Sequence, residues 1–493
     1  MYDFDPDWLG KLEAMRDAGQ DPYPNGFVVT HTSAGIHQRF DGVDDPSAEA
    51  DGQGVAIGGR VLFRNRMGKA IFLRIQDRGG VIQAYCRREE VGDETFAMLR
   101  ALDIGDFVWV RGQVMRTRTG ETTVRGHEAA FAGKILMPFP DRHHSVTDVE
   151  LRTRQRYVDL FMNPETREVF RKRSQIVRAI RDFFEARDFI EVETPMMQAI
   201  PGGAAAKPFV THHNALDMPL FMRVAPELFL KRLVVGGFER VYEINRNFRN
   251  EGTSIKHNPE FTMLEFYQAW ATYSDLMDLT EELLVSLVDE VRGERVFAFG
   301  DHTLDFTPPF RRADMDALIA EHTSIPLADL EDPAKIEAWY RSTHDVPAGA
   351  DLPTIRGKWW EHLFDEYVEQ QLINPTFVTG FPTEISPLSR RNDQDPSRVD
   401  RFELVCATWE LANAFSELND PVDQAGRFAE QAAQRAEGDE ESMYFDADYI
   451  RALSYGMPPT AGEGIGIDRL VMLLTGRTSI REVILFPTLR PEQ

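Results

Sequence analysis

The stretch from Phe248 to Phe261, FRNEGTSIKHNPEF, brings a guanidinium, an imidazole, carboxylates and an aromatic ring within fourteen residues. Polar and apolar residues alternate on both sides of it, in FERVYEINR before and TMLEFYQAW after. That alternation is the period of half-buried strands, and Gly252 and Asn258-Pro259 mark the loop that joins them. Period two puts Asn245, Asn247 and Arg249 on one face of the first strand, and Phe261, Glu265 and Tyr267 on one face of the second. An arginine at a strand end can clamp phosphate or carboxylate oxygens with two parallel hydrogen bonds. His257 adds a second phosphate contact, and Phe261 a platform for a base. The chemistry is that of a nucleotide site built without a phosphate-binding loop, although Arg249 alone would read more readily as the surface cation of an ordinary hairpin.

Two later stretches carry chemistry of the same kind. In FEL...WELANAFSEL, Asn413, Phe415 and Glu417 share a strand face with period two, whereas Glu410 has the opposite parity. A turn or bulge is therefore required if Glu403 and Glu410 are to face one pocket with them. Two well-spaced glutamates suit Mg2+, which takes one or two carboxylates together with phosphate oxygens. Near the end, GEGIGIDR (Gly462 to Arg469) places three glycines before a helix starting near Asp468. Taken alone, that pattern also fits a tight strand exit. Glu265 and Glu417 with the Tyr267 phenol make a cage for an ammonium tip, and an aspartate-binding site would need a cation there instead.

The elements that must position these residues are legible in outline. At 493 residues the chain allows about three domains, or one large domain with a small one. The net charge of −25 argues against a nucleic-acid partner until its distribution is read. Residues 1–59 carry 3 basic and 11 acidic groups, whereas residues 60–140 carry 14 basic and 9 acidic ones, a net +5 on an acidic chain. A locally basic module is compatible with a docked polyanion. The N-terminal MYDFDPDWLG lacks an apolar secretory core and no run approaches a membrane span, so a soluble, cytoplasmic protein is expected. Cys86 and Cys406 stand apart without ligand-spaced partners, which suggests buried packing residues, not a disulfide or zinc site.

Along the chain, residues 7–19 read as a short amphipathic helix stopped by Gly19, and residues 37–54 as an acidic loop, both within an N-terminal segment 1–54. Residues 55–140 hold five short alternating runs and one helical insert near Phe96–Leu102, the pattern of an OB-type barrel. Such barrels bind single-stranded nucleic acid by aromatic stacking and basic residues, and Phe72, Gln83 and Glu121 are the candidates here. Residues 141–160 read as a charged hinge whose Arg152, Arg154 and Arg156 suit a solvated helix face or, second to that, contact with a nucleic-acid stem. From residue 161 to 493, an amphipathic helix over Arg167–Arg187 runs into the strand FIEVETPMM. A Gly/Ala loop IPGGAAAKPF suits close backbone approach to a ligand, residues 271–374 read as mostly helical packing, and strands resume at Pro375.

With its flanks, the RNEG...HNPEFTMLEFY wording resembles motif 2 of class II aminoacyl-tRNA synthetases, in the lysyl branch. The helix and strand before Pro195 resemble motif 1, and GEGIGIDR resembles motif 3; the resemblance spans nearly the whole chain. It implies an α+β architecture, an N-terminal OB-fold anticodon-binding barrel followed by a catalytic domain on a mainly antiparallel sheet flanked by helices. It also implies ATP, L-lysine and tRNA(Lys) as substrates, Mg2+ as cofactor, and a homodimer through motif 1. ATP contacts are implied for Arg249, Glu251, His257, Asn258, Phe261, Glu410, Gly466 and Arg469, with Arg249 and Arg469 catalytic and Arg469 at the γ-phosphate. Lysine contacts are implied for Gly203, Ala225, Glu227, Arg249, Glu265, Tyr267, Asn413, Phe415 and Glu417, and a magnesium site for Glu403 and Glu410. Thr408 and Glu463 depart from the family, which more often carries glycine and an apolar residue there. The alternatives are an aspartate- or asparagine-type ligase, a relative that transfers lysine to a protein, and a non-catalytic nucleic-acid-binding protein on the same scaffold.

Overall fold

A computed structural model of the chain describes residues 4–43, 46, 54–140, 146–347, 349–436, 438 and 442–491. Two compact units divide between Ser145 and Val146. In the first, β1 (Val55–Met67), β2 (Ala70–Gln76), β3 (Val81–Arg87), β4 (Phe107–Arg116) and β5 (Thr122–Gly133) close into a barrel in the order β1-β2-β3-β5-β4. Alternate residues Ile71, Leu73, Ile75, Val108, Val110 and Val124 fill its interior. The helical insert is found at Asp93–Ala101 and plugs the barrel with Phe96 and Leu99. One expectation changes: Ser33–Phe40 is a helix where the loop was expected to begin at His37. Thr32 caps it by accepting from the Gly35 amide at 3.2 Å, and Ile36 and Phe40, one turn apart, bury against the barrel core. Most of the acidic loop that follows lies outside the described residues, as do residues 141–145 of the expected hinge.

The second unit is built on an eight-stranded sheet. Its strands are β6 (Ile190–Glu191), β7 (Arg240–Phe248), β8 (Glu260–Ala269), β9 (Arg311–Asp314), β10 (Thr376–Thr379), β11 (Arg401–Cys406), β12 (Trp409–Ser416) and β13 (Thr460–Gly466). They run in the order β9-β10-β11-β12-β13-β8-β7-β6, antiparallel except where β9 meets β10 and β7 meets β6. The helices Pro164–Glu185, Tyr273–Val291 and Ile467–Thr475 contribute Ile180, Phe184, Leu284 and Leu473 to the core shared with Phe266 and Ile465 of the sheet. The expected strand FIEVETPMM is broken in two: Ile190–Glu191 pairs beside β7, and Met197 belongs to the short strand Met197–Gln198, which pairs with Met218–Met222. Residues 271–374 are not helical throughout, since the hairpin Val296–Phe299/His302–Asp305 and edge strand β9 interrupt them. Among the described residues no helix is long and apolar enough to cross a membrane. Both cysteines are free and buried, as expected.

The solvated-face reading of the three arginines is overturned. Arg156 is 2% exposed and donates to Asp159 and to the carbonyls of Leu485 and Arg481 at 3.2 and 2.6 Å. Arg152 reaches the same Asp159 at 2.9 Å, and Arg154 the Arg490 carbonyl at 2.8 Å. Helices Val149–Arg154 and Arg156–Met162 therefore tie the start of this unit to the end of the chain. Buried guanidinium groups persist because each finds a carboxylate and backbone acceptors.

Glu463 occupies a central strand between Phe266 and Ala414, 2% exposed, and its two oxygens lie 2.8 and 2.6 Å from the Thr280 hydroxyl. Burial pushes its carboxyl well above the usual carboxylate range, and the Thr280 hydrogen bond opposes this only in part. A raised acid contributes stability that is present below the ordinary carboxylate range and is lost as pH rises through the raised value. The melting temperature of the wild type should therefore fall relative to Glu463→Leu between pH 5 and pH 8. Parallel melting curves for the two proteins across that range would contradict this.

Candidate functional site

The β7–β8 hairpin pairs Asn247 with Phe261, Asn245 with Met263 and Glu243 with Glu265, so the two expected faces do form one surface. That surface floors a cavity of about 550 Å³ lined by Arg249, Glu251, His257, Phe261, Glu265, Tyr267, Glu403, Glu410, Asn413, Phe415, Gly466 and Arg469, among others. The Arg249 amide donates to the Pro259 carbonyl at 2.9 Å and closes the loop neck. Its guanidinium carbon lies 5.1 Å from the Phe261 ring centroid, and its Nε is buried without a hydrogen-bond partner. Burial lowers its pKa, partly offset by the charges of Glu410 and Glu251. A desolvated cation with an unused donor beside a cavity is suited to an anion.

Arg469 projects from the first turn of the helix after the glycines. It donates to the Glu410 carbonyl, lies 3.6 Å from the Glu410 carboxylate and donates to His257 Nε2 at 3.1 Å. Since a guanidinium only donates, Nε2 accepts, and the ring proton sits on Nδ1, 2.9 Å from Ser254 Oγ. Burial and the Arg469 charge lower the His257 pKa, which disfavours a second cation beside Arg469. The Asn258 amide is engaged elsewhere: it donates to the Glu260 carbonyl at 2.6 Å and accepts from the Thr488 amide at 3.1 Å. Sequence reasoning missed Lys256, whose ammonium crosses to the Thr408 carbonyl at 2.9 Å and lies 4.0 Å from Glu369. Only its neighbour His257 hinted at it.

On the β11–β12 hairpin, Leu404 pairs with Ala412 but Val405 pairs with Glu410, leaving Leu411 as the extra residue of a bulge. That is the parity change which Glu410 required, and it puts Glu410 and Asn413 on one wall. The hairpin turns at Ala407 and Thr408, both left-handed with φ of 53° and 65°, a conformation that glycine adopts at less cost. The strained turn is held by the Ile373 and Leu372 carbonyls, 2.8 and 3.0 Å from its amides, and by Lys256.

Glu403 pairs with Arg401 at 2.5 Å. Its carboxyl is pushed up to about 8 by burial, opposed by Arg401 and reinforced by the charges of Glu410 and Asp365. Asp365 rises to about 6 by burial and the charges of Glu361, Glu369 and Glu410. These carboxyls crowd together with too little positive charge, which fits a cation. Among the described residues no three such groups form a ready metal cluster. The fit is therefore to an ion that takes its remaining ligands from phosphates and water.

At the other end of the cavity, Glu265 accepts from the Tyr267 hydroxyl at 2.8 Å, both buried. Burial pushes the Glu265 carboxyl up to about 8, with the Glu227 charge adding and the Tyr267 hydrogen bond opposing. Gly203, at φ +93°, packs so closely that a Cβ there would sit 2.8 Å from Glu227 Cβ and 3.2 Å from Ala225 Cβ, so these three residues form one corner. The cage differs from expectation in one respect. Glu417 is set behind the cavity wall, its side chain 0% exposed and ion-paired with the equally buried Lys231, which also holds Glu227 at 2.5 Å. The acid that joins Glu265 on the wall is Glu227. The i,i+4 spacing of Glu227 and Lys231 on the helix Glu227–Val235 was the available signal for this pair.

On the barrel, Phe72 pairs with Tyr85, Arg74 with Gln83, and Gln83 with Thr123, so the expected residues lie on one outward face. The Phe72 and Tyr85 rings are 4.7 Å apart, Gln83 donates to Thr123 Oγ1 at 2.8 Å, and Glu121 lies 3.7 Å from Arg74. Tyr85 was missed, although it follows Gln83 at the strand period.

Residues 148–490 match the family described as tRNA synthetases class II (D, K and N), and residues 55–129 match the OB-fold nucleic acid binding domain. The chain is 52% identical over 483 residues to a lysine–tRNA ligase of Dichelobacter nodosus, covering 98% of this chain and 96% of that one. Lysine–tRNA ligases of Pelotomaculum thermopropionicum and Xanthomonas oryzae pv. oryzae are each 51% identical, over 489 and 486 residues. Both alignments cover 98% of this chain, and 94% and 95% of those relatives.

Proposed function

The chain belongs to the class II tRNA synthetases of the D, K and N group, and from that premise we infer that it is a lysine–tRNA ligase. It joins lysine to the 3′ end of tRNA(Lys) at the expense of ATP. The observation that carries the choice of amino acid is the buried Glu227–Glu265–Tyr267 corner, an anionic pocket where an aspartate or asparagine side chain would meet carboxylates.

In the first step a lysine carboxylate oxygen attacks the α-phosphorus of ATP in line and the bond to pyrophosphate breaks. In the second, the 3′-hydroxyl of the terminal adenosine attacks the carbonyl of the lysyl-adenylate and AMP leaves. Positioning and charge stabilisation do most of this work. Arg249, with its unused buried donor, binds the carboxylate and α-phosphate oxygens. Arg469 and His257 hold the outer phosphates, and Phe261 supports the adenine. Glu403 and Glu410 would hold Mg2+, which would neutralise phosphate charge. Gly466 leaves room for the nucleoside, since a Cβ there would meet nothing closer than 3.7 Å. Glu251, exposed at the loop, and Asn258 border the same nucleotide.

The barrel reads the anticodon through Phe72, Gln83 and Glu121, with Tyr85 beside them, in a domain spanning 55–140 that precedes the catalytic domain. Phe72→Ala should weaken tRNA recognition by about 1–3 kcal/mol and leave tRNA-independent pyrophosphate exchange unchanged. An equal loss in both assays would make Phe72 a packing residue. The exposed apolar side chains Ile190, Met196 and Met197, beside the helix Pro164–Glu185, support a homodimer through this region. A cytoplasmic location fits the two free buried cysteines.

The reading is tested by amino-acid-dependent pyrophosphate exchange with each of the twenty amino acids. Lysine alone should support it; exchange driven by aspartate or asparagine, or by none, would overturn the assignment.

A further inference from the structure

The amino-acid corner holds more acid than a lysine substrate can neutralise. Glu227 and Glu265 stand on the wall and Glu417 one layer behind it, all buried. A bound lysine brings two ammonium groups, its carboxylate being matched by Arg249. Three carboxylates against two ammonium groups would leave one buried charge unpaired, a costly state.

We propose that Lys231, locked between Glu227 and Glu417, is a specificity-determining positioning residue that cancels the surplus carboxylate. The pocket then keeps the two negative charges that the two ammonium groups of lysine neutralise. The proposal rests on the lysine reading of the site. Lys231 Nζ lies 2.5 Å from Glu227, is ion-paired with Glu417, and sits 5.2 Å from the centroid of the wall residue Phe415. Its side chain is 0% exposed and does not line the cavity, so it acts through the two glutamates and not on the substrate. The titratable groups facing it are Glu227 on its own helix, Glu417 after β12, Glu265 and Tyr267 on β8, and Tyr449 on the helix Ala447–Ser454. Its pKa rises because the charges of Glu227 and Glu417 outweigh burial, so it remains a cation. Gly462 guards the arrangement, since a Cβ there would fall 2.3 Å from the nearer Glu417 oxygen and from Tyr267 Cε1. An amino acid with a neutral side chain supplies one ammonium for two charges, and one that brings a second carboxylate is worse placed still.

A double-mutant cycle tests this charge count. Lys231→Met leaves three carboxylates for two ammonium groups, and Glu417→Gln leaves one for two. Each should raise lysine KM in pyrophosphate exchange at least about tenfold, with ATP KM unchanged. The double variant Lys231→Met/Glu417→Gln restores two charges, so its lysine KM should return to within about fivefold of wild type. Because the double variant carries the same net pocket charge as the wild type, it anchors the cycle even if Lys231→Met unfolds. A folded double variant with lysine KM higher than that of Glu417→Gln alone overturns the proposal, as multiplicative effects would for a residue with a merely structural role. Wild-type exchange with lysine is measured first; its absence would sink the functional reading itself, whereas its presence with a multiplicative cycle removes only the role of Lys231.

Discussion

Arg249→Ala is expected to lower lysine-dependent pyrophosphate exchange about a hundredfold or more while the protein stays folded. Deleting one preorganised donor aimed at developing charge commonly costs about 2.7–4 kcal/mol, or 10²–10³ in rate. Arg249 meets that description: its Nε is buried and unpartnered, and its guanidinium stands over Phe261 where carboxylate and α-phosphate would meet. Among the described residues no ion pair engages its guanidinium, so the substitution should leave the melting temperature nearly unchanged. Rate and stability together separate the roles. Near-normal exchange in a folded variant would show that the phosphate is held elsewhere, whereas loss of fold would make Arg249 structural.

Glu265→Gln should raise lysine KM by at least about a hundredfold with ATP KM nearly fixed. Breaking a buried charge pair by removing one partner costs about 3–5 kcal/mol, whereas an exposed pair contributes about 0–1. Glu265 is 5% exposed and keeps the shape of its hydrogen bond with Tyr267 when changed to glutamine, so the change deletes charge alone. Its raised pKa adds a pH signature. With the free carboxyl at about 8, lysine must displace a proton to bind near neutrality, so lysine KM should fall as pH rises from 7 through 8. The Glu265→Gln variant should lack that fall. A rise in lysine KM of only a few fold would place Glu265 at a wet rim, and a parallel rise in ATP KM would assign it to the phosphate end.

The parts of the site that a strand period governs could be read before the structure. Faces of β7 and β8 follow from counting residues, and the bulge at Leu411 follows from the parity of Glu410 against Asn413. The barrel was legible for the same reason, its strands being separated by glycine turns except where the helical insert intervenes. Depth was not legible. Periodicity assigns Glu417 to a face but cannot say that Lys231, 186 residues earlier, covers it. Nor could it foresee that Thr280 answers the odd Glu463, because the contact joins a helix and a strand brought together only by the core. The arginines of the expected hinge were misread because their partners, the carbonyls of Arg481, Leu485 and Arg490, arrive from the far end of the chain. The helix Ser33–Phe40 was hidden by glycine and polar residues, its two apolar anchors being too few to show a period.

The central claim is most directly tested by charging. Labelled lysine and ATP are incubated with the full chain and total tRNA, and the acid-precipitable product is divided between ribonuclease and protease treatment. Lysine should appear in a ribonuclease-sensitive, base-labile ester on tRNA, in proportion to the tRNA(Lys) supplied, with a matching loss when Arg249 is replaced. Label that survives ribonuclease and is released by protease would make the protein a lysyl-transferring relative acting on polypeptide. No lysine-dependent label at all would contradict the account.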